Sequence, residues 1–253
     1  MIENLISIAK DAGAEILKIY SKDDFEKSIK EDNSPLTEAD LASNKVICES
    51  LKKLYPEIPI LSEEIKQAPY DTRKEWSEFF LIDPLDGTKE FIKRNGEFTV
   101  NIALIKNGVP VMGVVYAPVK DILYYNTNEN TAYRVEAGEK LQIPNDKFIP
   151  KQYTVVASRS HMSDETKEYM QSLEAEHGEV EVISMGSSFK LCLVAEGSAH
   201  EYPRLAPTSE WDIGAAHAIV LASGGDVVDF NTRKRVQYNK ENILNPFFLV
   251  KRN

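Results

Sequence analysis

"DPLDGT", residues 83–88, follows directly on the apolar run "FFLI" at 79–82. A short continuous apolar run predicts a buried strand. Aspartate is a poor strand former and is costly to bury unpaired, so two aspartates at the end of such a strand need compensation. Gly87 lets a ligand approach the backbone, and the N–H groups that open the helix predicted in "GTKEFIK" (87–93) favour an anion. The stretch therefore predicts a divalent metal held by the acids and a phosphate held by the amides.

The bulk properties narrow the classes of partner. The 253 residues suffice for one large domain or two tightly joined halves. A net charge of −10 argues against nucleic acid, although metal ions can mask local carboxylates for a small phosphate. The two cysteines, Cys48 and Cys192, lie in apolar helical contexts and predict reduced thiols in the cytoplasm. We expect neither a signal peptide nor a membrane span. Peripheral membrane association and the choice between monomer and homodimer stay open.

Helical and strand patterns alternate along the chain. Helices are predicted at 2–20, at 36–56 with Thr37 as N-cap, at 163–177, and from about residue 213 to Gly224. Strands are predicted in 58–64, 78–84, 97–126, 153–161, 180–204 around a further helix, the segment after Gly225, and 245–250. The polar stretch "PNDKFIPKQ" (144–152) indicates a boundary between halves 1–148 and 149–253. The fold class is mixed α/β, with sheets layered against helices.

Four acids lie at the ends of predicted elements: Glu63, Asp83, Asp86 and Asp212. Each has an ordinary explanation when taken alone. Glu63 fits a solvated strand end, the two aspartates of "DPLDGT" fit turns, and Asp212 fits the cap of the following helix. Together they indicate a metal site, because Mg²⁺ prefers oxygen ligands and four separate element ends carry acids beside apolar runs.

Several motifs resemble one known group of enzymes. "LTEAD" (36–40), "LSEE" (61–64), "DPLDGTKEF" (83–91) and "WDIGAAHAI" (211–219) resemble the magnesium-dependent, lithium-sensitive phosphatase superfamily that includes inositol monophosphatase. "FTVNIALI" (98–105), "SRSH" (158–161), "GSSFKLCLVAEGSAHEYPR" (186–204) and "PTSEWD" (207–212) resemble its 3'(2'),5'-bisphosphate nucleotidases. The resemblance implies a layered αβαβα sandwich with the site between the halves. It also implies removal of the 3'-phosphate from adenosine 3',5'-bisphosphate, which gives AMP, and a role in sulfur metabolism.

The resemblance also implies a role for individual residues. The implied ligands of two or three Mg²⁺ ions are Glu63, Asp83, the carbonyl of Leu85, Asp86 and Asp212. Asp40 and Thr88 would orient and deprotonate the attacking water, with Glu63 among the catalytic residues. The implied substrate contacts are Glu63, Leu85, Asp86, Gly87, Thr88, His161, Ser188, Lys190, Arg204 and Asp212.

Structural explanations remain open for the residues outside the acid set. Asp40 and Thr88 fit helix starts, Lys190 fits a solvated helix position, Arg204 fits an edge ion pair, and His161 fits a loop cap. His217 is predicted to be a packed or exposed helix residue, and Gly214 to permit close packing beside Asp212.

Two other functions compete with the nucleotidase. One is a phosphatase of the same superfamily acting on inositol monophosphate or a sugar phosphate. The other is a non-catalytic module that binds phosphate or metal. A basic residue shortly before "WD" favours a substrate with a second phosphate, and a pure binding module has no need of the pair Asp40 and Thr88.

Overall fold

Two large mixed sheets, one hairpin and seven α-helices form the part of the chain that the structure, a computed structural model, describes: residues 1–29, 35–157 and 163–252. The first elements are α1 (Ile2–Tyr20), β1 (Lys27–Ile29), β2 (Pro35–Thr37), α2 (Glu38–Leu54), β3 (Ile60–Ser62), α3 (Tyr70–Arg73), β4 (Glu78–Asp86), α4 (Thr88–Ile92), β5 (Thr99–Lys106), β6 (Val109–Ala117), β7 (Ile122–Asn128), β8 (Thr131–Glu136) and β9 (Glu139–Ile143). After a short 3₁₀ helix (Asp146–Phe148) come β10 (Thr154–Ala157), α5 (Asp164–His177), β11 (Glu181–Ser184), α6 (Phe189–Glu196), β12 (Glu201–Arg204), α7 (Glu210–Ala222), β13 (Gly225–Asp229) and β14 (Phe248–Arg252).

The two large sheets divide the chain between them. The seven-stranded sheet has the order β3-β4-β5-β6-β7-β8-β9 and is parallel only where β3 meets β4. The five-stranded sheet has the order β11-β10-β12-β14-β13, in which β10 is parallel to both of its neighbours. Strands of the first sheet end at Ile143 and those of the second begin at Thr154. The division into halves 1–148 and 149–253 stays a prediction.

Five layers follow one another through the molecule. Helices α1 and α2 cover one face of the seven-stranded sheet, and α7 covers its other face. The five-stranded sheet packs on α6 and α7, and α5 covers its far side through Met170 and Leu173 against Val155. The predicted αβαβα sandwich is therefore confirmed.

The apolar run at 79–82 forms the interior of β4, where alternate residues face opposite layers. Phe80 and Ile82 pack in the cluster with α1 and α2, whereas Phe79 and Leu81 pack in the cluster with α7. All four side chains are buried. The run is continuous because both faces of this strand are covered, as the sequence predicted.

Helix α7 is the central layer and is apolar on all sides, as expected for a helix between two sheets. It packs closely on the seven-stranded sheet at two glycines, one in β6 and one in the helix itself. A Cβ on Gly113 of β6 would lie 2.0 Å from the carbonyl oxygen of Ala215, and a Cβ on Gly214 would lie 2.7 Å from Leu81 Cδ2. The close packing predicted for Gly214 is confirmed, and it places the start of α7 beside the end of β4.

Several predicted boundaries change by a few residues. The strand predicted at 58–64 ends at Ser62, and the strand predicted at 245–250 begins only at Phe248. Helix α7 begins at Glu210 with Ser209 as its N-cap, so Asp212 is the third helical residue rather than the cap. Thr37 is the N-cap of α2, as predicted. No helix in the described ranges is long and apolar enough to span a membrane.

Candidate active site

An extra residue in β4 explains the spacing of the two aspartates in "DPLDGT". Asp83 pairs with Asn101 of β5, but Asp86 pairs with Thr99, so β4 carries one more residue between the pairs than β5 does. Residues three apart in a regular strand point to opposite faces, whereas this bulge brings Asp83 and Asp86 to the same face. That face is the one covered by α6 and α7.

The predicted acids gather around this bulge from four elements. Glu63 follows β3, and its N–H donates to the Ile82 carbonyl over 3.2 Å, which places it beside the end of β4. Asp40 lies in the first turn of α2 and Asp212 in the first turn of α7. Burial raises the pKa of Asp40, Asp83, Asp86 and Asp212, and the negative charge of Glu63 acts in the same direction on all four, which places it near them. The tertiary structure thus joins acids that are far apart in sequence.

Burial and the charges of neighbouring acids raise the pKa values of Asp83, Asp86 and Asp212. Asp83 is buried, and its pKa lies well above its usual range because of burial and then the charges of Glu63, Asp86 and Asp212. Burial and the Asp86 charge raise the pKa of Asp212 to about 8. Burial raises the pKa of Asp86 to about 6, opposed by Lys190 and by the N–H of Ser188. A bound cation would relieve this repulsion.

The donor set fits a hard divalent cation, although it does not form a closed cage. Among the described residues, no three acidic, histidine or cysteine side chains form a ready metal-binding group. Mg²⁺ usually takes only one or two carboxylates and completes its shell with water and substrate phosphate. The buried carboxylates of Asp83 and its neighbours, with the Leu85 carbonyl in the same bulge, suit that open mode of binding.

Asp40 and Thr88 are in direct contact, as their predicted partnership requires. The Thr88 hydroxyl donates to Asp40 Oδ1 over 3.1 Å and lies 3.5 Å from the Leu85 carbonyl oxygen. Asp40 Oδ2 accepts the N–H of Thr37 over 2.8 Å and its hydroxyl over 2.6 Å. The bond from the Thr37 N–H is one half of the capping box of α2, in which the Thr37 side chain also accepts the Asp40 backbone N–H. Asp40 therefore both caps a helix and holds Thr88. Burial raises the pKa of Asp40, against the lowering effect of the Thr37 bonds.

A cavity of about 410 Å³ opens beside the acids. It is lined by residues from both predicted sides of the site, among them Asp86, Gly87, Asp212, Ser188, Lys190 and Arg204. Gly87 has a φ of +97°, a left-handed conformation that suits glycine, and it precedes Thr88 at the start of α4. Acids for a metal and cations for an anion thus face the same space.

The two predicted cations are not solvated surface residues. Lys190 is buried, and its Nζ donates to the Ser187 carbonyl over 2.6 Å. Burial, helped by Arg204, lowers the pKa of Lys190 to about 8, whereas the Asp86 charge acts in the opposite direction. Arg204 donates through Nη2 to the Pro207 carbonyl over 3.2 Å, and its buried Nε has no partner in the described ranges. The alternative of a solvated Lys190 is wrong.

Ser188 is more deeply engaged than the sequence indicated. Its hydroxyl donates to Asn101 Oδ1 over 2.7 Å and lies 2.8 Å from Thr99 Oγ1. All three side chains are buried. The hydroxyl proton is therefore already used, and a Ser188 contact with substrate stays a prediction. His161 lies outside the described residues, so its predicted role also stays a prediction.

Sequence reasoning missed four residues in or beside this cavity. Ser187 has a φ of +49°, lines the cavity, and has a buried Oγ without a partner in the described part of the chain. Thr99 and Asn101 hold Ser188. A polar asparagine inside the apolar run "TVNIALI" was the available signal for Asn101. Glu97 also lines the cavity, and its carboxylate accepts the Gly186 N–H over 2.9 Å.

The chain belongs to the inositol monophosphatase family, whose sequence profile matches residues 1–248. Members of this family are generally metal-dependent. The family resemblance seen in the motifs is therefore confirmed.

Individual relatives show which members of the family this chain is closely similar to in sequence and in structure. The 3'(2'),5'-bisphosphate nucleotidase CysQ of Salmonella typhimurium is 49% identical over 251 residues, which cover 99% of each chain. The crystal structure of CysQ from Bacteroides thetaiotaomicron, described as a bacterial member of the inositol monophosphatase family, is 45% identical with a TM-score of 0.90. That match covers 99% of this chain and 96% of the other. The more specific resemblance to bisphosphate nucleotidases is confirmed as well.

A more distant structure shares the fold alone. The staphylococcal inositol monophosphatase II solved with 2'AMP has a TM-score of 0.75 at 19% identity, covering 98% of this chain and 88% of that one.

Proposed function

We propose that this protein is a magnesium-dependent phosphatase that converts adenosine 3',5'-bisphosphate to AMP and phosphate. The observation that carries this proposal is that one cavity is lined both by two acids, Asp86 and Asp212, and by two cations, Lys190 and Arg204. Such a cavity suits a small molecule with two phosphates, one beside the acids and one beside the cations. The nucleotidase relatives, nearly half identical over the whole chain, support the same substrate.

The acid group would hold two or three Mg²⁺ ions through Glu63, Asp83, Asp86, Asp212 and the Leu85 carbonyl. When bound, the metal polarises the 3'-phosphate and lowers the pKa of a water molecule. The same carboxylates repel one another in its absence, which is the physical reason for this assignment.

Asp40 and Thr88 would act on the attacking water. Because Thr88 donates its hydroxyl proton to Asp40, its oxygen retains lone pairs that can accept a proton from water. The water oxygen attacks phosphorus while one water proton passes to the Thr88 oxygen and the Thr88 proton passes to Asp40. The bond from phosphorus to the 3'-oxygen breaks, and the leaving 3'-oxygen takes up a proton from solvent. Thr37 holds the other oxygen of Asp40, so the carboxylate is already oriented before substrate binds.

Gly87 and the amides at the start of α4 would lie against the reacting phosphate. Lys190 and Arg204 would bind the 5'-phosphate, the first as a point charge and the second as a planar fork. Ser188 would contribute from the same turn, and His161 would contact the adenine. A location in the cytoplasm and the monomeric or dimeric state stay predictions.

The test measures phosphate release from adenosine 3',5'-bisphosphate and from inositol 1-phosphate, with Mg²⁺, with chelator and with lithium. We expect release from the nucleotide that requires Mg²⁺, is inhibited by lithium and yields AMP. Preference for inositol 1-phosphate would contradict the substrate, and no release from either would favour a binding module.

A variant at Lys190 sharpens the choice of substrate. Lys190→Met keeps the length of the buried chain and removes its charge. We expect kcat/KM for the bisphosphate to fall at least about tenfold, because a buried charge contact is lost. The rate with inositol 1-phosphate should fall less, since that substrate has no second phosphate and is affected only through the interaction of Lys190 with Asp86. Equal losses on both substrates would contradict the role of Lys190.

A further inference from the structure

The turn Gly186–Ser188, which carries Ser188 and leads into the helix of Lys190, is held by a short segment from the first half of the chain. Ser188 is bonded to Asn101 and Thr99 on β5. Immediately before that strand, the Glu97 carboxylate accepts the Gly186 N–H over 2.9 Å. The segment 97–101 therefore contacts both ends of the turn.

Glu97 lies between the turn and the loop of "DPLDGT". A Cβ on Gly186 would lie 2.8 Å from the Glu97 carbonyl oxygen and 3.0 Å from its Cβ. A Cβ on Gly87 would lie 3.2 Å from the same carbonyl oxygen. Gly186 leaves no room for a side chain and Gly87 leaves little, so the backbones of both loops lie against Glu97. Its own N–H donates to Asn95 Oδ1 over 2.9 Å, which orders the approach to it.

The position of the turn decides what the cavity offers to an anion. The Ser187 carbonyl accepts the Lys190 Nζ, and the Ser188 N–H bonds the Asp86 carboxylate. A rotation of the turn would therefore move Lys190, the cation proposed for the second phosphate. It would also disturb Asp86, one of the proposed metal ligands. Glu97, which is 9% exposed, is the carboxylate that opposes such a rotation.

We propose that Glu97 is a positioning residue that sets the selectivity of this site for a substrate with a second phosphate. The proposal rests on the proposed function and goes beyond it by assigning selectivity to a residue of the first half of the chain. Glu97 acts through Gly186, Ser187 and Lys190, and the reacting phosphate is held elsewhere in the cavity.

The kinetic test compares adenosine 3',5'-bisphosphate with adenosine 3'-monophosphate, which lacks the second phosphate. Glu97→Ala should raise the ratio of KM for the bisphosphate to KM for the monophosphate about tenfold, the scale of one lost hydrogen bond to a charged group, because any disturbance of Asp86 affects both substrates alike. Glu97→Gln, whose amide oxygen still accepts the Gly186 N–H, should restore most of the difference. Equal changes on both substrates, or a Gln variant as impaired as the Ala variant, would overturn the proposal.

A second readout is the binding of AMP. It is measured by calorimetry, with adenosine as the reference ligand. Glu97→Ala should weaken AMP binding about tenfold and leave adenosine binding unchanged. If the wild-type protein binds AMP but hydrolyses no 3'-phosphate, the proposed function fails. The role of Glu97 is then still tested by whether Glu97→Ala weakens the binding of AMP. If the wild-type protein does not bind AMP, the second-phosphate side is absent and the inference fails with it.

A matched control separates positioning from loss of stability. Glu196 is also a buried carboxylate that joins the two halves, through the Tyr124 hydroxyl at 2.7 Å and Arg134 Nε at 3.1 Å, but it does not line the cavity. Glu196→Gln should leave the ratio of the two KM values at the wild-type value even if it lowers the melting temperature. A change in that ratio equal to that of Glu97→Ala would show a general effect of stability and would overturn the proposal.

Discussion

The Thr88 hydroxyl donates to Asp40 Oδ1 over 3.1 Å, and this bond joins the first residue of α4 to the first turn of α2. The two helices start from different loops, 48 residues apart in sequence. The contact links the starts of two helices. Because the hydroxyl proton points to Asp40, the lone pairs of the Thr88 hydroxyl oxygen are free to accept a proton beside the acid group.

Removing the Thr88 hydroxyl should affect kcat far more than KM. Thr88→Val keeps the shape of the side chain and removes the oxygen between Asp40 and the predicted water. We expect kcat to fall on the order of 10²-fold, within the usual contribution of proton transfer by a positioned side chain. Steady-state kinetics with adenosine 3',5'-bisphosphate measures both constants. Thr88→Ser is the control and should keep most of the activity; an active Val variant would contradict the role.

Mg²⁺ should stabilise the fold, and Asp83 should be needed for this effect. A ligand at 100 times its Kd adds about 2.7 kcal/mol to stability, or a melting temperature several degrees higher. In Asp83→Asn a buried carboxylate that its neighbours repel becomes neutral. The metal-free variant should therefore melt at or above the wild-type temperature, while the rise caused by Mg²⁺ shrinks. Thermal denaturation with Mg²⁺ and with chelator checks both; an undiminished rise would remove Asp83 from the ligand set.

Gly214 should be intolerant of larger residues because α7 lies against β4 there. In Gly214→Val the new Cβ would lie 2.7 Å from Leu81 Cδ2. We expect a loss of about 1–3 kcal/mol in the free energy of unfolding. The start of α7 should also move, which lowers the metal-dependent rate through Asp212. Gly138→Asn is the control, since apart from its chain neighbours no atom of the described residues lies within 4 Å of a Cβ there, and asparagine accepts its φ of +81°. Full activity in the Val variant would count against the packing argument.

His217 should make the protein less stable in mild acid. It is fully buried, with Nδ1 2.9 Å from the Tyr238 hydroxyl and Nε2 3.4 Å from Asp226, which also pairs with Arg235. Burial lowers the pKa of His217 below its usual 6.5, against the effect of Asp226. The unfolded chain therefore takes up the proton first as the pH falls below about 6.5, and stability is lost there by at most about 1.4 kcal/mol per pH unit.

The variant His217→Gln isolates this contribution, because glutamine can hydrogen bond but does not titrate. Urea denaturation of the wild-type and variant proteins at pH 7.5 and pH 5.5 gives the comparison. The wild type should lose more stability between the two pH values than the variant does. Equal losses would show that other groups carry the acid sensitivity.

Most of the fold could be predicted from local patterns. The apolar stripe of α1, the capping box of Thr37 and Asp40, and the continuous run before Asp83 each specify an element through period or cap chemistry. Boundaries were less certain, because the last residues of a strand depend on its partner. Glu63 lies beyond the end of β3 for this reason, and Asp212 is inside α7 because Ser209 takes the cap.

Residue types at fixed spacings were enough to predict the layered class, the family and the acids of the candidate site. Which of these groups meet depended on how the elements pack. A bulge opposite β5 turns Asp83 and Asp86 to one face, and close packing of α7 on Leu81 brings Asp212 to them. The sequence patterns also did not predict the buried partners of Ser188 or the position of Glu97 between Gly87 and Gly186. Spacing along a chain fixes periodicity within one element, whereas contacts between elements depend on how their faces pack.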